Sequence, residues 1–250
     1  MEAPGLIWGR RSVLEHLRQQ APLQRIYVLA SGAGLGREFF ELAREQSIPV
    51  VRSQRQRLDS MTGRANHQGV VASLGERRFA EWQEVLERSA SSGRKMLLLA
   101  VDGVQDPGNF GALLRTAEAS GVQGVLVSSE GSCPLSATVS KTSAGADAYL
   151  PVARSPRLDR WLSELAELGV QVVGTSPEAE EVYWQVDWCK PSVLVMGSEG
   201  AGLSVNVRRS CTREVRLPML GQIESLNVSA SAAAILYESV RQREGTRGPA

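Results

Sequence analysis

The chain has 250 residues, of which 42% are hydrophobic and 22% charged, and its formal net charge is +1. This length is sufficient to bury a full core and predicts one large and one small domain. No apolar run approaches the roughly 20 residues that a membrane-spanning helix requires, which excludes a membrane protein from our expectations.

The small net charge conceals an arginine-rich N-terminal part. Residues 1–78 contain 12 arginines, seven acidic side chains and none of the three lysines of the chain. Arginine presents a planar set of donors that suits phosphate and can stack on bases. This asymmetry favours a small domain that binds RNA or DNA and a larger one that carries out chemistry. The alternative is that these arginines only make the surface soluble, in a genome that favours arginine.

The cysteines and histidines predict neither disulfides nor a metal site. Cys133, Cys189 and Cys211 are odd in number and widely spaced, which fits neither a zinc pattern nor a disulfide framework. His16 and His67 are far apart in the chain. The N-terminus lacks the basic and apolar segments of a secretory signal, so we expect a cytoplasmic protein without bound metal.

The first 76 residues are predicted to form a small α/β domain. Apolar spacing predicts helices at 11–19, 36–46 and 55–61 and strands at 25–30, 49–51 and 69–73. A charged, Ser-rich stretch follows. We interpret residues 77–94 as a linker that contains one helix near 80–88.

Residues 95–250 alternate between apolar strands and helices. The predicted strands are 96–101, 122–127, 170–173, 192–196 and 214–217, and the predicted helices are 110–120, 135–144, 157–168 and 226–243. This alternation is typical of a parallel sheet with helices on both faces. Ligands of such sheets bind beyond the carboxyl ends of the strands, where three loop-to-helix motifs of this chain are predicted to lie.

The first motif, residues 102–111, follows the predicted strand at 96–101. A Pro-Gly pair at 107–108 predicts a turn, and Asn109 is suited to cap the helix that follows. Arg115 then lies in the second turn of that helix, within reach of an anion held near the loop. The alternative is that Asn109 only caps the helix and Arg115 pairs with Glu118 or Asp102 at the surface.

The second motif, residues 197–202, has glycines that let the backbone approach a flat ligand, and Glu199 can accept hydrogen bonds there. It is neither a P-loop nor a dinucleotide fingerprint. In the third motif, Ser225 and Asn227 stand at the start of a helix of small residues, where backbone N–H groups are free. An alanine-rich packing helix is the alternative for this segment, and the two interpretations are compatible.

Together the three motifs resemble the SpoU family of RNA ribose 2′-O-methyltransferases, part of the SPOUT superfamily. The matching residues are Asp106-Pro107-Gly108-Asn109 with Arg115, Met196-Gly197 with Glu199, and Leu217-Pro218-Met219 with Ser225-Leu226-Asn227. The match is closest to the large-subunit rRNA guanosine methyltransferases, including Ser140-Lys141 and Gly145-Ala146. The N-terminal part, with Gly9-Arg10 and residues 67–72, looks like the family's ribosomal-protein-like RNA-binding domain.

The resemblance implies an α/β domain with a parallel sheet and a deep C-terminal trefoil knot, preceded by that RNA-binding domain. It also implies a homodimer whose knots pack together. The implied donor is S-adenosylmethionine, bent into the knot. The implied reaction is methyl transfer to the ribose 2′-hydroxyl of a guanosine in large-subunit (23S) rRNA.

By position in the family pattern, the residues expected to contact the donor are Gly197, Leu217, Met219, Ser225 and Leu226. The expected catalytic residues are Arg115, Asn109, Glu199, Asn227 and Ser225. Because a guanidinium stays protonated in proteins, we interpret Arg115 as a fixed cation for the target phosphate and the developing alkoxide, not as a base.

Two alternatives remain within RNA biology: a tRNA methyltransferase of the same family, and an RNA-binding protein that has lost catalysis. A nucleotide-cofactor oxidoreductase is disfavoured because the dinucleotide fingerprint is missing. Free rRNA and an assembling ribosomal particle both stay open as the substrate. The same holds for action of Arg115 within its own subunit or across the dimer.

Overall fold

The computed structural model describes residues 5–30, 34–74 and 79–245. The chain divides into two compact units, one formed by residues 1–78 with 135–137 and the other by the remainder. The first four residues, on which the absence of a secretory signal was judged, lie outside the described residues. So do residues 77–78 of the predicted linker.

The N-terminal unit is a four-stranded mixed sheet with three helices among its described residues. In chain order the elements are β1 (Leu6–Trp8), α1 (Arg10–Arg18), β2 (Leu23–Leu29), α2 (Arg37–Glu45), β3 (Val50–Ser53), α3 (Arg55–Met61) and β4 (Val70–Leu74). The strand order is β1-β4-β2-β3, with only β2 and β3 parallel. Ile26 and Val28 of β2 share a buried cluster with Val13, Leu17 and Phe39 of the helices.

The C-terminal unit contains a seven-stranded sheet. Its elements are α4 (Trp82–Ser91), β5 (Leu97–Val101), α5 (Pro107–Ala119), β6 (Gly124–Ser128), α6 (Ala137–Thr142), β7 (Val152–Ser155), α7 (Leu158–Glu167), β8 (Gln171–Thr175), β9 (Glu181–Val182), β10 (Ser192–Met196), α8 (Val205–Arg209), β11 (Arg213–Arg216) and α9 (Val228–Gly245). The strand order is β7-β6-β5-β10-β8-β11-β9, and every neighbouring pair is parallel. The predicted parallel sheet is thus confirmed.

Helices cover both faces of this sheet. All five residues of β5 are buried, which requires apolar cover on each side because successive side chains point in opposite directions. On one face Leu98 packs in a cluster with Leu158 and Leu162 of α7. On the other side of the unit, α5 and α9 pack against each other. Full burial of each such leucine contributes roughly 1.5–3 kcal/mol.

Several short elements were not predicted. Strands β1, β7 and β9 have three, four and two residues, and α8 has five. Such lengths hold too few turns or alternations to give a periodic signal. The segment interpreted as a linker contains α4, whose Val85 is fully buried and whose Trp82 stacks on Trp161 of α7 with ring centroids 4.9 Å apart.

Arg243, in the last turn of α9, forms hydrogen bonds at the amino ends of two central strands. Its guanidinium donates to the carbonyls of Lys95 (2.7 Å) and Met96 (3.0 Å), which precede β5, and of Trp188 (2.8 Å) and Lys190 (3.1 Å), which precede β10. Burial lowers the pKa of this guanidinium. Within the described ranges, every helix is too short or too polar to cross a lipid bilayer.

Candidate functional site

The loops of all three sequence motifs leave the sheet at its carboxyl edge. Strands β5, β10, β8 and β11 are neighbours in the sheet, and the first two motifs follow β5 and β10. The third motif follows β11 and leads into α9. Parallel strands end at the same edge, so loops that are distant in sequence come together there.

One side chain from each motif joins a three-residue hydrogen-bonded cluster. The amide of Asn109 donates to Glu199 Oε1 at 2.9 Å. The amide of Asn227 donates to the same oxygen at 2.9 Å and to Asn109 Oδ1 at 2.8 Å. A single carboxylate oxygen therefore fixes the orientation of two amides that lie 118 positions apart in the sequence.

Local capping holds the two asparagines in place, although not entirely as predicted. Helix α5 begins at Pro107 and is capped by Asp106, whose Oδ2 accepts from the Asn109 backbone N–H at 2.7 Å. The prediction that Asn109 itself caps the helix is wrong. Proline is suited to the first helical position because it has no N–H to satisfy, so the cap is the residue before it. Asn109 lies in the first turn, and its side chain is left to bond with Glu199.

Asn227 does act at a helix start. Its Oδ1 accepts from the backbone N–H of Ser229 at 2.9 Å and from the hydroxyl of Ser229 at 2.6 Å. These bonds occupy the amide oxygen, while the amide nitrogen donates to Glu199 and Asn109. Every polar atom of the Asn227 side chain is thus used, which fixes its rotamer.

The second motif forms a tight loop that leaves no space for side chains at its base. The backbones of Ser198 and Gly202 bond in both directions at 3.0 Å. A Cβ placed on Gly197 would collide with the backbone of Gly202 and Leu203. Asp102 of the first motif also holds this loop in place, because its Oδ2 accepts a hydrogen bond from the Ser204 N–H at 2.8 Å.

A cavity of about 380 Å³ lies beside the cluster. Six of the nine residues predicted for the site line it: Gly197, Glu199, Leu217, Met219, Ser225 and Leu226. Asn109 and Asn227 do not line it but are bonded to Glu199, which does. Eight of the nine predicted residues are therefore gathered at one place.

Some cavity-lining residues were missed from the sequence. Thr175 ends β8, Ser176, Pro177 and Glu178 follow it, and Arg216 ends β11. The segment at 175–178 contains no glycine-rich motif. Its position directly after an apolar strand was the signal that could have identified it.

Arg115 stands apart from this assembly. It is exposed on α5, and within the described part of the chain it has no hydrogen bond or ion pair. Neither carboxylate considered as its partner is bonded to it, and Asp102 bonds to Ser204 instead. The guanidinium is therefore free to meet an anion from outside the chain.

The described residues contain no group of three side chains able to hold a metal ion. Among the cysteines, Cys211 lies under the second motif region and packs close to Gly174. Burial, followed by the nearby charge of Glu214, raises the pKa of the Cys211 thiol to about 12. A thiol of that kind stays protonated at neutral pH, which makes it a packing residue and not a nucleophile.

Comparison with known proteins gives a consistent result. A model of the SpoU rRNA methylase family matches residues 96–237, and a model described as RNA 2′-O ribose methyltransferase substrate binding matches residues 6–80. YacO of Bacillus subtilis (strain 168), assigned to the TrmH family of tRNA/rRNA methyltransferases, is 35% identical over 237 residues, which is 94% of each chain.

Two solved structures extend the comparison. The SpoU methyltransferase AviRb from Streptomyces viridochromogenes, in complex with the cofactor AdoMet (S-adenosylmethionine), is 26% identical with a TM-score of 0.76. That match covers 96% of this chain and 90% of AviRb. A TrmH/SpoU tRNA-modifying enzyme of A. aeolicus is 32% identical with a TM-score of 0.57, over 66% of this chain and 82% of that one.

Proposed function

The chain belongs to the SpoU rRNA methylase family, and we propose that it methylates the ribose 2′-hydroxyl of a guanosine in large-subunit (23S) rRNA. RNA 2′-O-methyl transfer is the chemistry of this family. One observation carries the proposal: Glu199 both lines the cavity and joins Asn109 to Asn227. A donor pocket and a set of oriented polar groups for an acceptor are thereby adjacent.

S-adenosylmethionine is the methyl donor, and the cavity fits its chemistry. A volume of about 380 Å³ falls within the range of cofactor pockets. Arg216 and Glu224 offer both signs of charge to the zwitterionic methionine part. When bound, the donor supplies an electrophilic methyl group and leaves as S-adenosylhomocysteine. The residues proposed to hold it, largely through their backbone, are Gly197, Leu217, Met219, Ser225 and Leu226.

Arg115 is proposed to act on the acceptor side. A guanidinium remains protonated in proteins, so it cannot remove the proton of the hydroxyl. It binds the target phosphate and stabilises the negative charge that develops on the 2′ oxygen as its bond to the methyl carbon forms. The hydroxyl proton passes to phosphate or to water. The exposed, unpaired state of Arg115 in the described structure supports this role.

Glu199 is proposed as the residue that orders the acceptor site. Its Oε1 accepts from both amides, so Asn109 and Asn227 are held in one orientation before RNA arrives. Such preorganisation matters because a reaction between two bound substrates depends mainly on their relative position. Asn109 and Asn227 orient the ribose, and Ser225 borders the donor at the same place.

The N-terminal unit supports rRNA over tRNA as the substrate. Residues 6–80 match the substrate-binding family model, which supports RNA capture by the N-terminal unit. The tRNA-modifying enzyme of A. aeolicus matches only 66% of this chain, too little to include both units. A tRNA substrate for this chain is the alternative that the experiment below distinguishes.

We further propose a C-terminal trefoil knot, a homodimer and a cytoplasmic location. The match of residues 96–237 to the SpoU family model supports the knot. Leu220 and Ile223 are 98% and 72% exposed in the isolated chain, and apolar residues of this kind beside a functional cavity support a partner subunit. Free cysteines support a reducing compartment.

The test is incubation of the purified protein with tritiated S-adenosylmethionine and separate pools of unmodified large-subunit rRNA, small-subunit rRNA and tRNA. We expect label in large-subunit rRNA, mapped to an alkali-resistant 2′-O-methylguanosine. Label only in tRNA would keep the chemistry and overturn the proposed target. Donor binding without label in any pool, including assembling ribosomal particles, would indicate a protein that has lost catalysis.

A further inference from the structure

The N-terminal unit has an open depression of about 810 Å³ that methyl transfer does not use. Three arginines border it: Arg10 at the start of α1, Arg55 at the start of α3, and Arg64 in the loop before β4. Asp59 is the one acidic side chain in its lining. We refer to these residues and the loop at 64–69 as the arginine pocket.

The single carboxylate of the arginine pocket is engaged by a buried histidine. His67 is 5% exposed, and its Nδ1 accepts from the Gly69 backbone N–H at 2.9 Å. The proton of the neutral ring is therefore on Nε2, which donates to Asp59 Oδ1 at 3.0 Å. Asp59 lies 4.0 Å from Arg55 at its nearest approach. Asp59 therefore offsets one of the three positive charges, that of Arg55, while Arg10 and Arg64 retain theirs.

The loop of the arginine pocket is held in a strained conformation. Arg64 and Gln68 have φ angles of 64° and 53°, in the left-handed region that costs roughly 1–2 kcal/mol for a residue with a Cβ. The other two such residues of this unit, in its described part, are Gln20 and Ser47, and each directly follows a helix cap, where this conformation is common. Arg64 also follows a helix end, since its N–H donates to the Asp59 carbonyl of α3 at 2.8 Å. Within the described part of the unit, Gln68 is therefore the one of these four residues that lies away from a helix end, and such strain is typical of binding sites.

Gln68 uses this conformation to position Arg10. Its side-chain oxygen accepts from the Arg10 backbone N–H at 3.1 Å, and its own carbonyl accepts from Arg10 Nε at 3.2 Å. The two terminal nitrogens of the Arg10 guanidinium have no hydrogen bond within the described ranges. Arg64 has no side-chain partner there either. The Arg10 guanidinium is therefore held in one orientation with its terminal nitrogens available. The Arg64 guanidinium is also available for an anion from outside the chain.

We propose that the arginine pocket binds an unpaired nucleotide of the RNA substrate together with its flanking phosphates. Guanidinium groups suit phosphate oxygens, and the exposed amides of Asn66 and Gln68 can pair with base edges. A depression admits a base that is turned out of a helix, whereas a stacked base pair cannot enter it. The proposal rests on the proposed function, because it names the part of the substrate-binding unit that holds the RNA.

The experiment measures binding of full-length protein to an unmodified large-subunit rRNA transcript at several salt concentrations. The test variant is the double substitution Arg10→Gln with Arg64→Gln. The matched control is Arg44→Gln with Arg52→Gln, which removes the same charge from exposed arginines of the same unit outside the pocket. Thermal unfolding of both variants verifies that each is folded.

We expect the pocket variant to bind RNA about tenfold more weakly or worse, since it loses two charge-assisted contacts to phosphate. The slope of log affinity against log salt should decrease by roughly 0.7 for each lost phosphate contact. The control should stay within about twofold of wild type, because Arg44 and Arg52 do not line the pocket. Equal binding by the two variants would overturn the proposal.

Two further probes define the ligand. A fully paired RNA duplex should bind the pocket variant and the control equally, and a selective loss of duplex binding would contradict the unpaired nucleotide. Guanosine monophosphate should compete only weakly, and tight competition would indicate a free-nucleotide site instead.

Parallel assays separate this proposal from the proposed function. If wild type transfers methyl groups but the pocket variant binds RNA normally, the pocket proposal is wrong and the proposed function stands. If wild type binds S-adenosylmethionine by calorimetry and RNA through the pocket but transfers no methyl group, only the proposed reaction is wrong.

Discussion

The two ends of the seven-stranded sheet use polar side chains in opposite ways. At the carboxyl end, the half-buried side chain of Asn109 and the exposed side chains of Glu199 and Asn227 bond to one another across three loops. At the amino end, Arg243 donates to four backbone carbonyls that precede β5 and β10. The hydrogen bonds at the carboxyl end thus run between side chains next to solvent. Those at the amino end run from a partly buried side chain to backbone carbonyls.

This difference separates groups that stabilise the fold from groups that can meet a substrate. An arginine that gives four of its five N–H donors to backbone carbonyls has little left for a ligand, and its removal takes a donor from each of those carbonyls. Exposed side chains that bond to each other lose little when a ligand replaces one partner. Substitutions at the amino end should therefore reduce stability, and those at the carboxyl end should reduce activity.

The largest expected effect is that of Arg115→Ala, on the helix that leaves the carboxyl end. Loss of one charge-stabilising donor should lower kcat by roughly 10²–10³-fold. Because Arg115 is exposed and unpaired in the described structure, the Tm and the affinity for S-adenosylmethionine should not change. Arg160→Ala, an exposed arginine of α7, is the control and should behave as wild type.

Calorimetry of S-adenosylmethionine binding tests the assignment of Arg115. If Arg115→Ala loses donor affinity as strongly as it loses activity, Arg115 does not act on the acceptor side. Mixed dimers of Arg115→Ala and Asn227→Ala subunits extend the test. Activity recovered on mixing would show that Arg115 serves the partner's site, and no recovery would show that both residues act in one subunit.

The next effect is expected at the amino end, for Arg243→Met. Removing a donor from four carbonyls should lower the free energy of unfolding by about 2–4 kcal/mol. Well below the unfolding transition, kcat should remain within twofold of wild type. Arg241→Met is the matched control, since Arg241 is 71% exposed and, among the described residues, pairs with Glu238 on the same helix. Its effect should stay below about 1 kcal/mol. A drop in kcat for Arg243→Met without loss of stability would break the contrast between the two ends.

A smaller change in stability than that of Arg243→Met, with a clear effect on donor binding, is expected for Gly197→Ala. The added methyl group collides with backbone atoms of Gly202 and Leu203, which cannot yield as a side-chain end would. Overpacking of this kind costs about 1–3 kcal/mol. We expect weaker binding of S-adenosylmethionine in calorimetry, together with a lower Tm.

Gly200→Ala is the control within the same loop, because its Cβ meets open space. It should leave both the Tm and the donor affinity unchanged. If the two alanine variants bind the donor equally well, the tight base of the second motif is not part of the donor site.

Periodic burial made the main elements predictable. The apolar runs of β5 and β10 are buried on both faces, so their lack of alternation correctly indicated a parallel sheet. Strands β7 and β9 are too short to produce a pattern, and their pairing is decided by neighbours already in the sheet. The cavity residues at 175–178 carry no glycine-rich motif. Only the general rule that ligands bind beyond the carboxyl ends of parallel strands indicates them.

The sequence by itself determined the sheet type, the order of the three motifs and the family, because each depends on residue types at fixed local spacing. Only the tertiary structure decided which side chains meet. Glu199 bonds to partners that are 90 and 28 positions away, and Arg115, six residues from Asn109, is outside the cluster. Such contacts depend on how the strand ends and loops pack, and that packing is fixed by the whole core and not by local propensity.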